Sequence, residues 1–242
     1  MENPLHLFTE NTDWRTVEKP GGIPVFTPNK SPEGDCLLQR YLKVWPESAI
    51  HAWPKGFDSG IAHRLDIPTT GLVIAAKSPE SLKIIRDNFS QKRLQKHYFF
   101  VSRKDVSWDR HEMTAEIGHD KRKKRRMVVK RGSNTPVRGK WLEAKTLFNR
   151  VGKSEIGHIW HAEMSTGVMH QIRLHAAFAG IALAGDTLYG GGLALRCAPH
   201  GSFLLHHFGI REYGWSRLPQ WWPEGLRKIT RMWINTHFAP KG

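Results

Sequence analysis

Residues 63–76 read His63-Arg64-Leu65-Asp66-Ile67-Pro68-Thr69-Thr70-Gly71-Leu72-Val73-Ile74-Ala75-Ala76. Pro68 and Gly71 bracket a tight turn, two threonines line it with hydroxyls, and the apolar run that follows suits a buried strand. One carboxylate, Asp66, thus stands in a turn at the head of that strand. Taken alone, an aspartate there reads first as a turn residue bonding nearby backbone N–H groups. Beyond the strand is a helix start, with Ser78 as N-cap, Pro79 at the first helical position and Glu80 in the first turn. Leu82, Ile85 and Phe89 give that helix its apolar face.

Working outward, residues 15–28 read as a strand, a Pro20-Gly21-Gly22 turn and a second strand. Asp35–Trp45 carries apolar residues at 37, 38, 41, 42 and 45, the spacing of a helix. Further strands are expected at His97–Val101, Glu112–Ile117, Met127–Val129, Trp141–Phe148, His158–Met164 and Phe203–His207. A helix is expected over His170–Ala179, stopped by Gly180. Many short strands with a few scattered helices indicate an α+β fold rather than a doubly wound one. The 242 residues show no internal repeat and no long linker, so 1–242 is expected to be a single catalytic unit.

The net charge of +15 is unevenly placed. Lys121–Lys140 holds ten basic residues and no acidic one, which leaves +5 for the rest of the chain. Between two expected strands, that run falls on a long loop or a ribbon. Concentrating like charge this way is self-repulsive and needs an offsetting partner, for which nucleic-acid phosphates fit best. No amphipathic helix with a bulky apolar face accompanies it, so acidic lipid fits worse. The longest stretch without Asp, Glu, Lys or Arg is the fourteen residues Cys197–Ile210, short of the roughly 20 a membrane span needs. The N-terminal residues lack a signal-peptide pattern, and a cytoplasmic location is expected. Two cysteines exclude a disulfide scaffold and a multi-cysteine zinc site. Cys197-x-x-His200 and His206-His207 find no matching second pair, so no metal is expected. Phosphate-cradling and dinucleotide-binding glycine loops are also missing, and no cofactor is expected.

Two more segments carry candidate chemistry. Lys96-His97-Tyr98-Phe99-Phe100-Val101 alternates charge and aromatics on a strand, and alone Tyr98 reads as core or sheet surface. Thr166-Gly167-Val168-Met169-His170-Gln171-Ile172-Arg173-Leu174-His175 runs from a glycine turn into a helix, and alone Arg173 reads as a salt-bridge arginine.

Together and in this order, the three segments resemble the RluA-type RNA pseudouridine synthases. That family is marked by H-R-L-D-x-x-T-S-G, a K-x-Y strand, and T-G-R-T-H-Q-I-R-V-H-L followed by G-D-x-x-Y-G. Here the last element is Gly185-Asp186-Thr187-Leu188-Tyr189-Gly190. Glu18-Lys19-Pro20-Gly21-Gly22-Ile23-Pro24-Val25 is similar to the family's first strand and turn. Phe203-Leu204-Leu205-His206-His207 is similar to its late L-H-A motif. The resemblance covers about residues 15–210, and the few residues before it are too short for the S4 RNA-binding domain that many relatives carry. The departures are Thr70 for serine, Val168-Met169 for Arg-Thr, and His207 for alanine.

The resemblance implies isomerisation of specific uridines in structured RNA, ribosomal or transfer, to pseudouridine, without a cofactor or an obligate protein partner. It implies a base flipped out of its stack to reach the enzyme. Asp66 matches the essential carboxylate, acting on C1′ or C6 or as a base toward a ribose proton. A desolvated carboxylate needs a cation to stay ionised, and Arg173 matches the family's arginine. Tyr98 matches the residue that packs on the target base, and Leu205 matches part of the opposite wall. Arg64 fills the vacated stack, contacts the next phosphate, or braces the turn. Lys123, Lys124, Arg125 and Arg126 supply phosphate contacts that position rather than read sequence. The rival reading is a non-catalytic RNA-binding or RNA-chaperone protein on the same fold. An Asp-dependent glycoside hydrolase would lack its second carboxylate.

Overall fold

Strand β2 (Trp14–Lys19) lies antiparallel between β1 (Leu7–Glu10) and β3 (Thr70–Ala76), and its register sets Glu18 opposite Leu72 and Lys19 opposite Gly71. The structure is a computed structural model and describes residues 5–27, 34–193, 195–199 and 203–238. The chain divides into two compact units.

The first unit takes the chain up to Lys96 together with His206–Pro219. Its strands run in the order β1-β2-β3-β9, where β9 is Leu205–Ile210, and the short β10 (Gly214–Trp215) pairs with β9. β9 is parallel to β3, and the other pairings are antiparallel. Every residue of β3 is buried, as expected of an apolar strand covered on both faces. Helix α2 (Pro79–Ser90) begins where the sequence places it, with the Ser78 hydroxyl accepting the Ser81 N–H at 3.2 Å. Its Leu82 and Ile85 pack on Leu72, Ile74 and Ala76 of β3. Each such burial stabilises by about 1.5–3 kcal/mol. Helix α1 (Leu37–Val44) is capped by the Cys36 sulfur, which accepts the Gln39 N–H at 3.4 Å.

The second unit takes His97–Ala198, Phe203–Leu205 and the chain from Gln220 on. Its strands run in the order β4-β8-β7-β5-β6: Lys96–Ser102, Gly157–Met164, Val137–Ser154, Arg110–Asp120 and Met127–Val129. The β5–β6, β5–β7 and β7–β8 pairings are all antiparallel. Helix α3 is Gln171–Phe178, and α4 (Glu224–Phe238) packs on β7.

The structure departs from the expected elements in places. Residues 23–27 form no second strand, because the Pro24 and Val25 carbonyls instead accept the Leu37 and Leu38 N–H groups, both at 3.0 Å, where α1 begins. Residue 28, where that strand was to end, lies outside the described residues. His170 is not helical: it sits before α3 in the left-handed region, at φ 58°. The late strand starts at Leu205 rather than Phe203. The basic run is a ribbon: Lys121–Arg126 cap the β5–β6 hairpin, and Lys121–Arg125 are exposed.

Candidate active site

In the first unit, Asp66 occupies a turn closed by its own carbonyl, which accepts the Thr69 N–H at 3.0 Å. The carbonyl of the next residue, Ile67, is held twice. Gly22 N–H reaches it at 2.9 Å and the Lys19 ammonium at 3.0 Å. Lys19 is fully buried and also donates to the carbonyls of Pro20 at 2.7 Å and Ile23 at 2.8 Å. Burial pushes its pKa down to about 7, while the Asp66 charge acts in the opposite direction. One ammonium thus ties the Pro20–Ile23 turn to the Asp66 turn. Upstream, the His63 ring accepts the Ile74 N–H at 3.1 Å, which fixes the entry to the same turn on β3. Arg64 and Ile67 are exposed.

Thr70 and Gly71 lock the far side. The Thr70 hydroxyl is 2.8 Å from His206 Nδ1, and His206 Nε2 is 2.7 Å from the Ser216 hydroxyl. The hydroxyl kept by the serine-to-threonine departure is therefore in use. Gly71 has φ 120°, and a Cβ there would lie 2.2 Å from the His207 carbonyl oxygen, so only glycine lets β3 and β9 meet. His207, where the family has alanine, places Nδ1 2.6 Å from the Leu72 carbonyl, with its ring 5.6 Å from that of His63. Burial lowers the His206 pKa to about 3. With both ring nitrogens engaged, His206 is a poor metal ligand; His200 lies outside the described residues. Among the described residues no three His, Cys, Asp or Glu side chains are grouped as a metal site.

In the second unit, Tyr98 is buried on β4 and Leu205 is buried at the start of β9. Arg173, on α3 and 7% exposed, forks onto Asp186, with Nε to Oδ2 at 2.7 Å and Nη2 to Oδ1 at 2.9 Å. Two ring contacts hold the guanidinium, Tyr189 at 5.1 Å and Phe203 at 4.9 Å. Asp186 also accepts the Leu188 N–H at 3.1 Å. The start of α3 is fixed by Gln171. Its Oε1 accepts the Thr166 hydroxyl at 2.8 Å, and its Nε2 donates to the Lys145 carbonyl at 2.9 Å and the Thr146 hydroxyl at 3.0 Å. Val168, where the family has arginine, packs with Leu174, Met127 and Tyr189 instead of reaching for solvent.

Sequence reasoning named Asp66, Arg64, Tyr98, Arg173, Leu205 and the Lys123–Arg126 run. The structure places Asp66 and Arg64 in the first unit and the others in the second. It adds residues that had been quoted as motif letters without a role. These are Lys19 of the Lys-Pro-Gly-Gly turn, and Asp186 and Tyr189 of the Gly-Asp-x-x-Tyr-Gly element.

A family model described as RNA pseudouridylate synthase matches residues 13–178. A ribosomal large subunit pseudouridine synthase D of Nitrosomonas europaea is 30% identical over 188 residues, 77% of this chain and 50% of that protein. An uncharacterised RNA pseudouridine synthase of Bacillus subtilis is 32% identical over 193 residues, 79% of this chain and 59% of that protein. The chain thus spans about half the length of the curated relatives it matches. Two human structures share the fold: RNA pseudouridylate synthase domain containing 1, with TM-score 0.70, 19% identity and 93% of this chain and 87% of that one covered, and domain containing 4, with TM-score 0.67, 17% identity and 93% and 92% covered. The α+β architecture is therefore the pseudouridine synthase fold. The chain belongs to the RNA pseudouridylate synthase family. Within it, relatives named pseudouridine synthase D place it among the RluA-type members.

Proposed function

We propose that the protein isomerises specific uridines in structured RNA to pseudouridine, with Asp66 as the essential carboxylate. In that reaction the N1–C1′ bond breaks, a C5–C1′ bond forms, the C5 proton leaves and N1 takes up a proton. Atoms balance within the nucleotide, so neither a redox partner nor a group donor is needed, and a cofactor-free reaction follows. The observation that carries this reading is the Asp66 turn, fixed from the Lys19 ammonium, the Gly22 N–H and the Thr70–His206 bond in a chain of this family. Such a turn fixes the backbone that carries the carboxylate, and chemistry at a single ribose requires a positioned group.

On this reading Arg173, pre-oriented by Asp186, supplies the fixed positive charge that the family's arginine provides, and Tyr98 and Leu205 offer apolar faces between which a cleaved uracil turns over. Flipping an unpaired uridine costs only a few kcal/mol, so loops are favoured targets. Arg64 is exposed beside Asp66, as a side chain reaching for the flanking nucleotide would be. Lys123, Lys124, Arg125 and Arg126 grip phosphates. The names of two relatives make large-subunit ribosomal RNA the first substrate to test, with transfer RNA second. A cytoplasmic site of action is part of the same reading. Among the described residues no helix is long and apolar enough to cross a membrane.

The test is Asp66→Asn in the full chain, with pseudouridine mapped in ribosomal and transfer RNA from deletion and complemented cells. A site present with the wild-type gene and missing with the variant is the expected outcome. Pseudouridine that survives the substitution removes Asp66 from catalysis. A wild-type protein that binds RNA and modifies none is the non-catalytic RNA-binding protein.

A further inference from the structure

The Lys121–Arg126 ribbon is an assembly of like charges that the fold must hold in one place. Its root is held by Asp120, whose Oδ1 accepts the Arg122 N–H at 2.8 Å and the Lys123 N–H at 3.2 Å. The Asp120 N–H closes the turn on the Arg126 carbonyl at 2.9 Å. The other side of the ribbon, β6, is only three residues long and pairs with β5 over three positions. A two-stranded ribbon this short is not stable by itself.

Lys130 N–H reaches the Glu116 carbonyl at 2.9 Å, and the Arg131 guanidinium lies 5.5 Å from the Phe178 ring of α3. A further anchor is a phenol. The Tyr189 hydroxyl accepts the N–H of Met127, the first residue of β6 and the one directly after Arg126, at 2.9 Å. The same oxygen is 2.8 Å from Nδ1 of His170, the left-handed residue that opens α3. The hydroxyl thus bridges the Met127 N–H and the His170 ring. The Tyr189 ring packs with Met127, Val129 and Leu174 and lies 5.1 Å from the Arg173 guanidinium. The ring therefore serves packing and the arginine, while the hydroxyl joins the ribbon to the helix that carries Arg173.

We propose that Tyr189 is a positioning residue whose hydroxyl fastens the phosphate-gripping ribbon to α3, setting the bound RNA backbone in register with Arg173. This rests on the RNA-modifying reading above. Packing alone would be served by phenylalanine, so the hydroxyl is the part that calls for an explanation. A hydroxyl bonded to both elements ties β6 to α3 directionally, which apolar packing does not.

The experiment is Tyr189→Phe in the full chain, which keeps the ring and removes the joint. Binding is read with a fluorescein-labelled RNA hairpin and turnover with an unmodified large-subunit ribosomal RNA transcript. A net hydrogen bond corresponds to about a three- to tenfold change in an equilibrium constant. Kd and KM should rise by about that factor while kcat stays within about twofold, and the Met127 amide should exchange with solvent at least about tenfold faster. In a background carrying Lys123→Gln, Lys124→Gln, Arg125→Gln and Arg126→Gln, the added Tyr189→Phe should change Kd by less than about twofold. An equal loss in both backgrounds, a fall in kcat with KM unchanged, or an unaltered Met127 amide each overturns the proposal. Hydrogen exchange and hairpin binding need no turnover. A wild-type protein that makes no pseudouridine but shows the binding and exchange effects therefore sinks the enzymatic reading and leaves the joint standing.

Discussion

Lys19 and Arg173 are both buried cations, each next to a motif that defines the family, yet they are held in opposite ways. Lys19 has three backbone carbonyls around its ammonium. Arg173 has a carboxylate, Asp186, itself only 1% exposed. Bonded partial charges, with the Asp66 charge acting alongside, balance the first, and a directly bonded carboxylate balances the second. An ammonium among carbonyls remains titratable, and burial draws Lys19 down to about 7. A guanidinium stays charged throughout the accessible pH range. The Lys19 arrangement locks the shape of a turn; the Arg173 arrangement holds a charge in a fixed direction.

The sharpest way to break this comparison is Asp186→Ala. It leaves Arg173 buried without its carboxylate fork, a change that costs about 3–5 kcal/mol, read as a lower urea midpoint of the full chain. A smaller effect is expected of Lys19→Met, which removes the ion itself and leaves carbonyls with fewer donors. It should cost about 1–3 kcal/mol and reduce turnover further by loosening the Asp66 turn. If the methionine variant proves the less stable of the two, the carbonyl cage is the stronger device and the comparison fails.

The smallest effect per group is expected from acid, which acts on buried histidines near each cation: His206 beside the Asp66 turn, and His175 two positions after Arg173. Burial lowers their pKa values to about 3 and about 4. The unfolded chain takes up protons at about 6.5 while the folded one stays neutral. Their contribution is thus complete above pH 6.5 and declines as pH falls toward the folded values. Between pH 7.5 and 6.0 each should lose about 0.8 kcal/mol, measurable as a falling melting temperature. A melting temperature flat across that interval would mean that the two rings titrate in the fold as they do in the unfolded chain.

Much of the architecture was legible because it rests on local rules. Ser78-Pro79-Glu80 and the Leu82/Ile85 spacing specify the start and the apolar face of α2, and Leu72–Ala76 specifies the core of β3. The Lys121–Lys140 run was legible as charge, and as a loop or a ribbon without a choice between them. Strand β7 was expected only over Trp141–Phe148 and extends over Val137–Ser154. Its ends are rich in Arg, Lys and Gly and lack the alternation that marks a strand. Helix α4 escaped notice: only Leu226 and Thr230 are buried in its fifteen residues, too thin an apolar stripe to read against Trp and Arg neighbours.

The candidate site divides the same way. Asp66, Tyr98 and Arg173 could be named because motifs carry them as letters. Asp186 and Tyr189 were on view as letters too, but their partners lie 13 and 62 residues away, and no local rule joins them. The cage around Lys19 could not be read at all, since a backbone carbonyl is the same at every position. That also makes it hard to remove by mutation: only the lysine can be lost.

The parallel contact between β3 and β9 has a consequence for how the chain is made. Thr70 waits for His206, 136 residues later. At roughly 5–20 residues per second, that separation is on the order of ten seconds of synthesis. For that interval the strand behind Asp66 has an open edge, with Gly71 offering bare backbone to any passing strand. The strand that closes it, β9, is among the last to emerge, so the Asp66 turn is completed late in translation.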